Sequence, residues 1–475
     1  MRSSTRGFEP GMPVRVDPPA PLALRPLFEV IEAEAGRLGS RAFVVGGYVR
    51  DRLLGGDREL AIKEVDVLVE GGQGIALAQA FARRAAVHPP VIFERFGTAR
   101  VEAGGYAVEF VSTRRERYDR TSRKPEVSAG TLEGDVMRRD FTVNALLMDW
   151  DGTVLDLTGR GLDDLAARRI VTPLEPGVTF GEDPLRMLRA VRFATTLRFA
   201  LDPEVAGAIR RQADRLGPPV VSMERIRDEF VKVLMAEAVQ EGLTMLDDCG
   251  LLARILPQLE AGKGMQQGGW HSHDVFGHGL LAASLTRADP IVRLAGLLHD
   301  VGKPATHEMR DGKITFLGHQ EVGAAMAADA LKRLRFSGEV IDGVTRLVRL
   351  HMRPIQYDPD VWEDRAVRRL VRDAGPQLDR LLDLARADMR ASRYPEVAKI
   401  DHLDARIQRL DARAINAIRS PLTGEALMAG TGRPAGSWIK RAKSALEEAI
   451  VDGTLTPDPA AAWEYLKAHP DLLSS

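Results

Sequence analysis

The sequence has little that would suit an extracellular or a membrane protein. It holds a single cysteine, Cys249, so no intramolecular disulfide can form, which favours a reducing compartment. No apolar run approaches the roughly 18 residues that would span a bilayer, and residues 1–26 contain no apolar core of signal-peptide length. We therefore expect a cytoplasmic protein with no membrane partner.

Net charge is also almost absent. Lys and Arg number 66 against 67 Asp and Glu, which gives a formal net charge of -1 and an isoelectric point near 6.8. Any affinity for nucleic acid must then come from local basic patches rather than from the field of the whole protein. The chain shows no internal repeat of fixed period, and its 475 residues are too many for one core. Several domains are therefore expected.

Changes in pattern along the chain predict five segments. Residues 1–26, rich in Pro, Gly and Arg, are expected to form a flexible leader. Residues 27–160 mix short strand-like runs with amphipathic helical runs, which indicates a small mixed sheet with helices. Helical spacing dominates residues 161–262, and the Gly/Gln-rich stretch that follows suggests a boundary. Further helices are predicted over residues 263–395 and over a tail, residues 396–475.

The first half carries a possible nucleotide site. Glu64 and Asp66 stand two residues apart in "EVDVLVE", so they share one face of a strand. Glu109 projects from a predicted neighbouring strand, and three such carboxylates could hold Mg²⁺. Upstream, Gly46 and Gly47 precede a helix, where bare backbone N–H groups could approach a triphosphate. Alternating acids are also common on a solvated strand face, and these residues alone leave both interpretations open.

Five motifs in one order point to a family. "VVGGYVRDRLLGG", "EVDVLVEG", "RRDFTVNALLM", "DLTGRGLDDL" and "GEDPLRMLRAVRF" together resemble the bacterial class II tRNA nucleotidyltransferases and poly(A) polymerases, a branch of the polymerase-beta-like superfamily. The resemblance spans about residues 40 to 260. It implies an α+β fold, with a nucleotidyltransferase head built on a small mixed sheet, an all-helical neck, an HD domain and a tail.

The resemblance assigns roles to individual residues. Glu64 and Asp66 would be the metal-binding carboxylate pair, with Glu109 as the third catalytic carboxylate. Asp183 and Arg186 match the pair that reads the base edge of C and A. The positions implied to contact the nucleotide are Gly46, Gly47, Arg50, Asp51, Arg139, Asp140, Asn144, Asp183, Arg186, Arg189 and Arg192.

Two features of these motifs allow another interpretation. Arg186, Arg189 and Arg192 recur at helical spacing, which is also typical of a solvated basic face. The family has Asp where this chain has Glu64, and the extra methylene would displace a ligand in a site that needs near-octahedral geometry.

The second half carries an ordered series of imidazoles and carboxylates. A single His on an apolar helix is usually a core residue, but "GLLHDVGKP" within this series resembles the HD phosphohydrolases. The resemblance implies a divalent transition metal (Ni, Mn, Co, Fe or Zn) and places Lys303 against an anion. The implied ligands are His278, His299, Asp300 and Asp388, with weaker indications for His319 and His351.

The leading prediction is a template-independent enzyme that adds C and A from CTP and ATP to the 3′ end of tRNA. The HD domain is expected to hydrolyse phosphate esters such as 2′,3′-cyclic phosphates. A basic run, "STRRERYDRTSRKPE", with Tyr118 inside it, is predicted to contact RNA. The alternatives are a CC-only or A-only enzyme, a poly(A) polymerase, and an HD phosphohydrolase whose degenerate head merely binds RNA.

Overall fold

The chain forms two compact units. The computed structural model describes residues 14–55, 63–94, 97–117, 126–268, 273–392 and 396–474. The first unit comprises Met1–Glu229 and Met245–Arg254, and the second comprises Phe230–Thr244 and Ile255–Ser475. Among the described residues, no helix combines the length and the apolar character needed to cross a bilayer.

A seven-stranded mixed sheet forms the centre of the first unit, in the order β3-β4-β5-β2-β1-β8-β9. The strands of the described chain are β1 Ala42–Val45, β2 Glu64–Val69, β3 Val91–Phe93, β4 Thr98–Ala103, β5 Tyr106–Ser112, β6 Arg114–Arg117, β7 Glu126–Ala129, β8 Leu147–Met148, β9 Val154–Leu155, β10 Arg169–Ile170, β11 Ala200–Leu201, β12 Glu308–Arg310 and β13 Lys313–Thr315. Only the β2–β5 pair of this sheet is parallel; the other neighbours run antiparallel.

Helices surround the sheet and continue beyond it. Up to residue 255 they are α1 Arg25–Arg37, α2 Gly47–Leu54, α3 Gly74–Arg84, α4 Leu132–Met137, α5 Gly161–Ala166, α6 Pro176–Glu182, α7 Leu185–Leu197, α8 Pro203–Gln212, α9 Met223–Leu234, α10 Val239–Asp248 and α11 Leu252–Ile255. One face of the sheet buries Phe43, Val45 and Leu68 against Leu132 and Val136 of α4. This packing fixes the strand ends that carry the polar residues described below.

The rest of the second unit is mainly helical. Its helices are α12 Val275–Leu285, α13 Pro290–Leu298, α14 His319–Arg333, α15 Gly338–Leu350, α16 Met352–Ile355, α17 Asp364–Ala374, α18 Leu378–Ala391, α19 Ala398–Arg409, α20 Ala412–Ala417, α21 Gly424–Thr431, α22 Ser437–Val451 and α23 Pro459–Ala468. Every residue of α13 after its first is buried, so this helix forms the centre around which α12, α15 and α18 pack. A separate apolar cluster, including Trp438 and Leu446, unites the tail.

Small strands interrupt the regions predicted to be all-helical. β10 and β11 form a two-residue parallel pair in the predicted neck, and β12 and β13 form a hairpin in the predicted HD domain. The prediction of helices alone was wrong at these places. Strands of two or three residues are too short for alternation to be visible in the sequence.

Part of the predicted flexible leader lies on the head. Residues 1–13 lie outside the described part, but Val16, Ala20 and Leu24 are buried. The backbone N–H of Val16 donates to the carbonyl of Gly152 at 2.8 Å. The Tyr48 hydroxyl of α2 donates to the carbonyl of Pro19 at 3.0 Å. The prediction of flexibility was therefore wrong for residues 14–26, because a few apolar side chains anchor a segment whose composition is typical of a disordered chain.

Gly152 is required for this anchoring. Its φ is +90°, and a Cβ there would overlap the carbonyl oxygen of Val16. Gly159, with φ +72°, has open space around it. We expect Gly159→Ala to lower the free energy of unfolding by about 1–2 kcal/mol through backbone strain alone. Gly152→Ala should cost about 1–3 kcal/mol more, because it adds the overlap. Denaturant unfolding checks this, and equal losses would contradict the role given to the anchored segment.

Candidate functional site

The first site begins where β1 ends. Gly46 has φ +80° and precedes α2, and a Cβ there would lie 3.4 Å from both Arg139 Nη1 and Asp66 Oδ2. Glycine at this position therefore leaves room beside a carboxylate and a guanidinium. Gly47 begins α2, so the N-terminus of that helix lies beside them, where backbone N–H groups favour an anion.

The register of β2 and β5 places two of the predicted carboxylates side by side. Asp66 pairs with Glu109 in the parallel ladder, and Glu64 pairs with Ala107. Burial raises the pKa of Asp66. The positive charge of Arg139 acts to lower this pKa, and the negative charge of Glu64 raises it further. Burial and the charge of Asp66 raise the pKa of Glu109. Proton binding offsets the repulsion between such close carboxylates, and a cation would do the same.

This carboxylate group is partly open to solvent. Glu64 is exposed. Among the described residues, every set of three His, Cys, Asp or Glu side chains with ligand atoms within 4.8 Å of one another lies in the second unit. The oxygen donors of Glu64, Asp66 and Glu109 suit Mg²⁺, which keeps several waters and needs only one or two carboxylates.

Five of the eleven residues predicted to contact the nucleotide form one hydrogen-bonded chain. Arg50 donates to Asp51 at 2.8 Å and to Asn144 Oδ1 at 2.5 Å. Asn144 donates to Asp140 Oδ1 at 3.1 Å. Arg189 of α7 donates twice to Asp140 Oδ2, at 2.9 and 2.5 Å. The chain connects α2, which follows the glycine turn, with α7.

A phenylalanine and a glutamate that the sequence analysis missed complete this network. The guanidinium carbons of Arg50, Arg189 and Arg192 lie 5.2, 5.4 and 3.6 Å from the ring centroid of Phe193. Buried Glu229 of α9 forms ion pairs with Arg192, at 2.6 Å, and with Arg189, at 3.9 Å. Arg189 and Arg192 therefore do not form a solvated basic face. The helical spacing of "MERIRDEF" would have placed Glu229 on one face of a helix, but no sequence signal gives its partner.

A cavity of about 370 Å³ opens beside this network. Its lining combines five arginines with three aspartates: Val111, Asp135, Arg138, Arg139, Asp140, Asp183, Leu185, Arg186, Arg189 and Arg225. Asp183 Oδ1 accepts from the Leu185 N–H, and its Oδ2 accepts from Arg225 Nη2, both at 3.0 Å. Arg186 Nη2 donates to the Arg138 carbonyl at 2.8 Å. Such a lining suits a polar anionic ligand with donors and acceptors of its own.

The second site is a buried cluster of imidazoles and carboxylates. His278, His299 and Asp388 form one group whose ligand atoms lie within 4.8 Å of one another. Asp300, His319 and His351 form a second such group. The structure thus brings together the four predicted ligands and the two histidines that the sequence indicated more weakly.

Asp300 connects the two groups. Its Oδ2 lies 3.3 Å from His299 Nε2 and 3.8 Å from His278 Nε2. Its Oδ1 lies 3.5 Å from His319 Nε2 and 3.7 Å from His351 Nε2. Each carboxylate oxygen therefore faces a different pair of imidazoles.

Backbone carbonyls orient three of the imidazoles. The Nδ1 atoms of His299, His319 and His351 lie 2.8, 2.8 and 2.6 Å from backbone carbonyl oxygens. An N–H at Nδ1 donates to such a carbonyl, which leaves Nε2 as the lone-pair donor that faces the centre of the cluster. This donor set fits a divalent transition metal.

The cluster favours positive charge at its centre. Burial lowers the pKa of His299, but Asp300 and Asp388 outweigh it and raise the pKa to about 9. Burial and the charge of His299 lower the pKa of His351 to about 3. Burial raises the pKa of Asp388, but His299 and His278 hold it well below the usual range. The carboxylates would stabilise a metal cation at the same place.

Lys303 lies at the edge of this cluster rather than free in solvent. Its Nζ donates to Asp300 Oδ2 and to Gln267 Oε1, both at 2.6 Å. A cavity of about 540 Å³ adjoins it, lined also by His319, Asp388 and residues of β13, α15 and α16. That volume exceeds what a phosphate group needs and falls in the range of small-molecule pockets. The role of Lys303 in anion binding stays a prediction.

Asp140 provides a test of the head network. Burial raises its pKa, but the Arg189 charge and its hydrogen bonds outweigh this and hold the pKa below its ordinary value. We expect Asp140→Asn to lower the free energy of unfolding by about 1–3 kcal/mol, because Arg189 loses its partner. A carboxyl group whose pKa is lowered in the folded state stabilises the fold at pH values above its pKa in the unfolded chain. The loss of stability in Asp140→Asn should therefore persist above about pH 4 and shrink as the pH falls below that value. Denaturant unfolding at several pH values measures it, with exposed Asp163→Asn as the control; an equal effect in both variants would contradict the network.

Known protein families match long stretches of the chain. Three family models match the chain: "Poly A polymerase head domain" over residues 42–171, "Probable RNA and SrmB- binding site of polymerase A" over residues 198–263, and "HD domain" over residues 271–393. The boundaries proposed above for the five segments stay predictions.

Several relatives and solved structures cover most of the chain. The A-adding tRNA nucleotidyltransferase of Deinococcus radiodurans is 34% identical, over 89% of this chain and 94% of that protein. The CC-adding enzyme of Thermus thermophilus is 36% identical, over 70% and 77%, and the multifunctional CCA protein of Chromobacterium violaceum is 33% identical, over 79% and 92%. The crystal structure of the Bacillus stearothermophilus CCA-adding enzyme with CTP shares the fold, with a TM-score of 0.66 and 24% identity over 95% of this chain and 98% of that one. The chain belongs to the tRNA nucleotidyltransferase family and is a nucleotidyltransferase with an HD domain.

Proposed function

We propose that the chain adds C and A from CTP and ATP to the 3′ end of tRNA. The tRNA 3′-hydroxyl oxygen forms a bond to the α-phosphorus, the bond from that phosphorus to the β-phosphate oxygen breaks, and pyrophosphate leaves. The observation that carries the proposal is the placement of the Asp66–Glu109 pair and the Gly46 turn beside Arg139, which also lines the arginine-rich cavity. The cytoplasmic location stays a prediction.

The head residues divide the work of this reaction. Bound Mg²⁺ would help the hydroxyl to lose its proton and would neutralise charge on the departing pyrophosphate. Glu64, Asp66 and Glu109 would hold it. The backbone at Gly46 and the start of α2 would position the triphosphate, and Arg139 would add positive charge next to it.

The base would be read at Asp183 and Arg186. Cytosine and adenine both present an amino group next to an unprotonated ring nitrogen, whereas uracil and guanine present a carbonyl next to an N–H. A carboxylate accepts and a guanidinium only donates. The carboxylate would accept from the amino group of C or A, and the guanidinium would donate to the unprotonated ring nitrogen. At the same positions U and G would present a carbonyl to the carboxylate and an N–H to the guanidinium, so neither hydrogen bond would form.

The number of nucleotides added is a separate question. The relatives include an A-adding enzyme, a CC-adding enzyme and multifunctional CCA proteins. Addition of the complete CCA is our proposal for this chain; CC-only, A-only and poly(A) addition are the alternatives. All of these would use the same carboxylates and cavity, so product length decides among them.

We further propose that the HD domain hydrolyses phosphate esters, such as the 2′,3′-cyclic phosphates of RNA ends. A bound Ni, Mn, Co, Fe or Zn ion would activate water for attack at phosphorus. The two oxygens of Asp300 face different imidazole pairs, so each group of ligands would hold one ion, with Asp300 as a ligand in both groups. One ion would also be held by His278, His299 and Asp388. The other would also be held by His319 and His351.

An incorporation assay tests the head. The substrates are three tRNAs that end before CCA, after C and after CC, each with CTP, ATP or both. We expect extension that stops at CCA. Asp66→Asn, Glu109→Gln and Glu64→Gln should each lower the rate by about 100-fold or more, because fewer carboxylates hold Mg²⁺.

Controls make this assay decisive. Glu64→Asp restores the residue type of the family and should retain activity, and exposed Glu32→Gln on α1 should behave as wild type. Addition that stops after CC, or that occurs only on the tRNA ending in CC, would identify a specialist. An undiminished rate in Glu64→Gln would contradict the carboxylate site, and no incorporation by the wild type would leave the HD domain as the working enzyme.

A metal measurement tests the HD domain. We expect two ions per chain in the wild type, and we expect about one in His319→Ala and in His351→Ala. His299→Ala and Asp300→Ala should abolish hydrolysis of nucleoside 2′,3′-cyclic phosphates, because these residues are shared or central ligands. Elemental analysis is run beside the hydrolysis assay, with His469→Ala in the tail as the control. One ion in both the wild type and His319→Ala would rule out the second ion, and undiminished hydrolysis in His299→Ala would rule out the site.

A further inference from the structure

An arginine without an assigned role forms one wall of the head cavity. Arg225 is the third residue of α9, its side chain is about half exposed, and it lines the cavity. Its Nη2 donates to Asp183 Oδ2 at 3.0 Å. Asp183 is the carboxylate to which the proposed function gives the reading of the base.

This contact fixes the orientation of the Asp183 carboxylate. Oδ1 accepts from the Leu185 N–H at the start of α7, and Oδ2 accepts from Arg225. With both oxygens held, the carboxylate cannot rotate about its terminal bond. Each oxygen has two lone pairs, so Oδ2 retains an acceptor position for a second donor. The amino group of a base is such a donor.

The ion pair contributes little to the stability of the fold. Pairs this exposed are typically worth less than about 1 kcal/mol. Glu229, one turn further along α9, is buried and pairs with Arg192 and Arg189. The same helix thus supplies a buried support through Glu229 and a hydrated contact inside the cavity through Arg225.

We propose that Arg225 determines base specificity, in extension of the proposed function on which this inference rests. It holds Asp183 as an oriented acceptor for the amino group of C or A. The same ion pair commits the Nη2 donor of Arg225 to Asp183. Without the pair, Nη2 would be available to donate to the carbonyl group of U or G, so the pair also disfavours the wrong bases.

Nucleotide kinetics test this with Arg225→Gln, Arg225→Lys and a control, Arg227→Gln. Arg227 pairs with the neighbouring Asp228 and does not line the cavity. For Arg225→Gln we expect KM for CTP and ATP to rise about tenfold, and the preference for CTP over UTP and for ATP over GTP to fall about tenfold. Its kcat and Tm should stay near wild type. Arg225→Lys keeps one charged donor and should be intermediate, and Arg227→Gln should be unchanged.

Removal of the carboxylate gives an independent test. Asp183→Ala leaves Arg225 without this partner. The Asp183→Ala enzyme should therefore use UTP and GTP more readily than the double variant Asp183→Ala/Arg225→Gln. KM and base preference within twofold of wild type in Arg225→Gln would overturn the proposal, as would a fall in kcat alone. Equilibrium binding of CTP and UTP to the same variants decides the question even where the wild type extends no tRNA. Failure of the proposed function is therefore distinguishable from failure of this inference.

Discussion

The buried carboxylate of Asp140 is the group on which the hydrogen-bonded network of the head depends. It accepts from Asn144 and twice from Arg189, and through Asn144 it reaches Arg50 on the helix that follows the glycine turn. A buried charge is costly unless it is paired and hydrogen-bonded. The hydrogen bonds of Asp140 therefore hold α2 and α7 in one arrangement, and that arrangement shapes the cavity beside them.

The HD cluster also contains buried carboxylates, but their partners differ from those in the head. Asp300 and Asp388 are buried among four imidazoles, and Lys303 is the one ammonium bonded to Asp300 among the described contacts. Positive charge is thus arranged around carboxylates in both units. In the head, fixed guanidinium groups supply it and rigidify the scaffold. In the HD domain the partners are imidazoles, which can be neutral and then offer a lone pair to a metal ion. The positive charge would in that case come from the metal ion.

The sequence predicted what local spacing can encode. Alternation in "EVDVLVE" put Glu64 and Asp66 on one face, and the resemblance supplied the family and most of the residues that form the hydrogen-bonded network of the head. It did not predict the partners of Arg189 and Arg192, because helical spacing is the same for a solvated face and for one that pairs with a distant glutamate. The sequence also did not predict the burial of Val16 and Leu24. Composition describes the average of a segment, whereas a few buried apolar side chains are enough to anchor it.

A pocket that accepts both a pyrimidine and a purine needs two kinds of contact. Asp140 and Glu229 are buried, and Arg189 pairs with both, so displacing one of them would leave buried groups unpaired. Asp183 and Arg225 lie at the hydrated side of the same cavity, where breaking an ion pair costs little. Under the proposed function, the rigid part would fix where the triphosphate and ribose lie, while the Leu185 N–H and Arg225 would hold Asp183 as one oriented acceptor for either amino group. Under that proposal, one aspartate would serve both bases because it lies where burial ends.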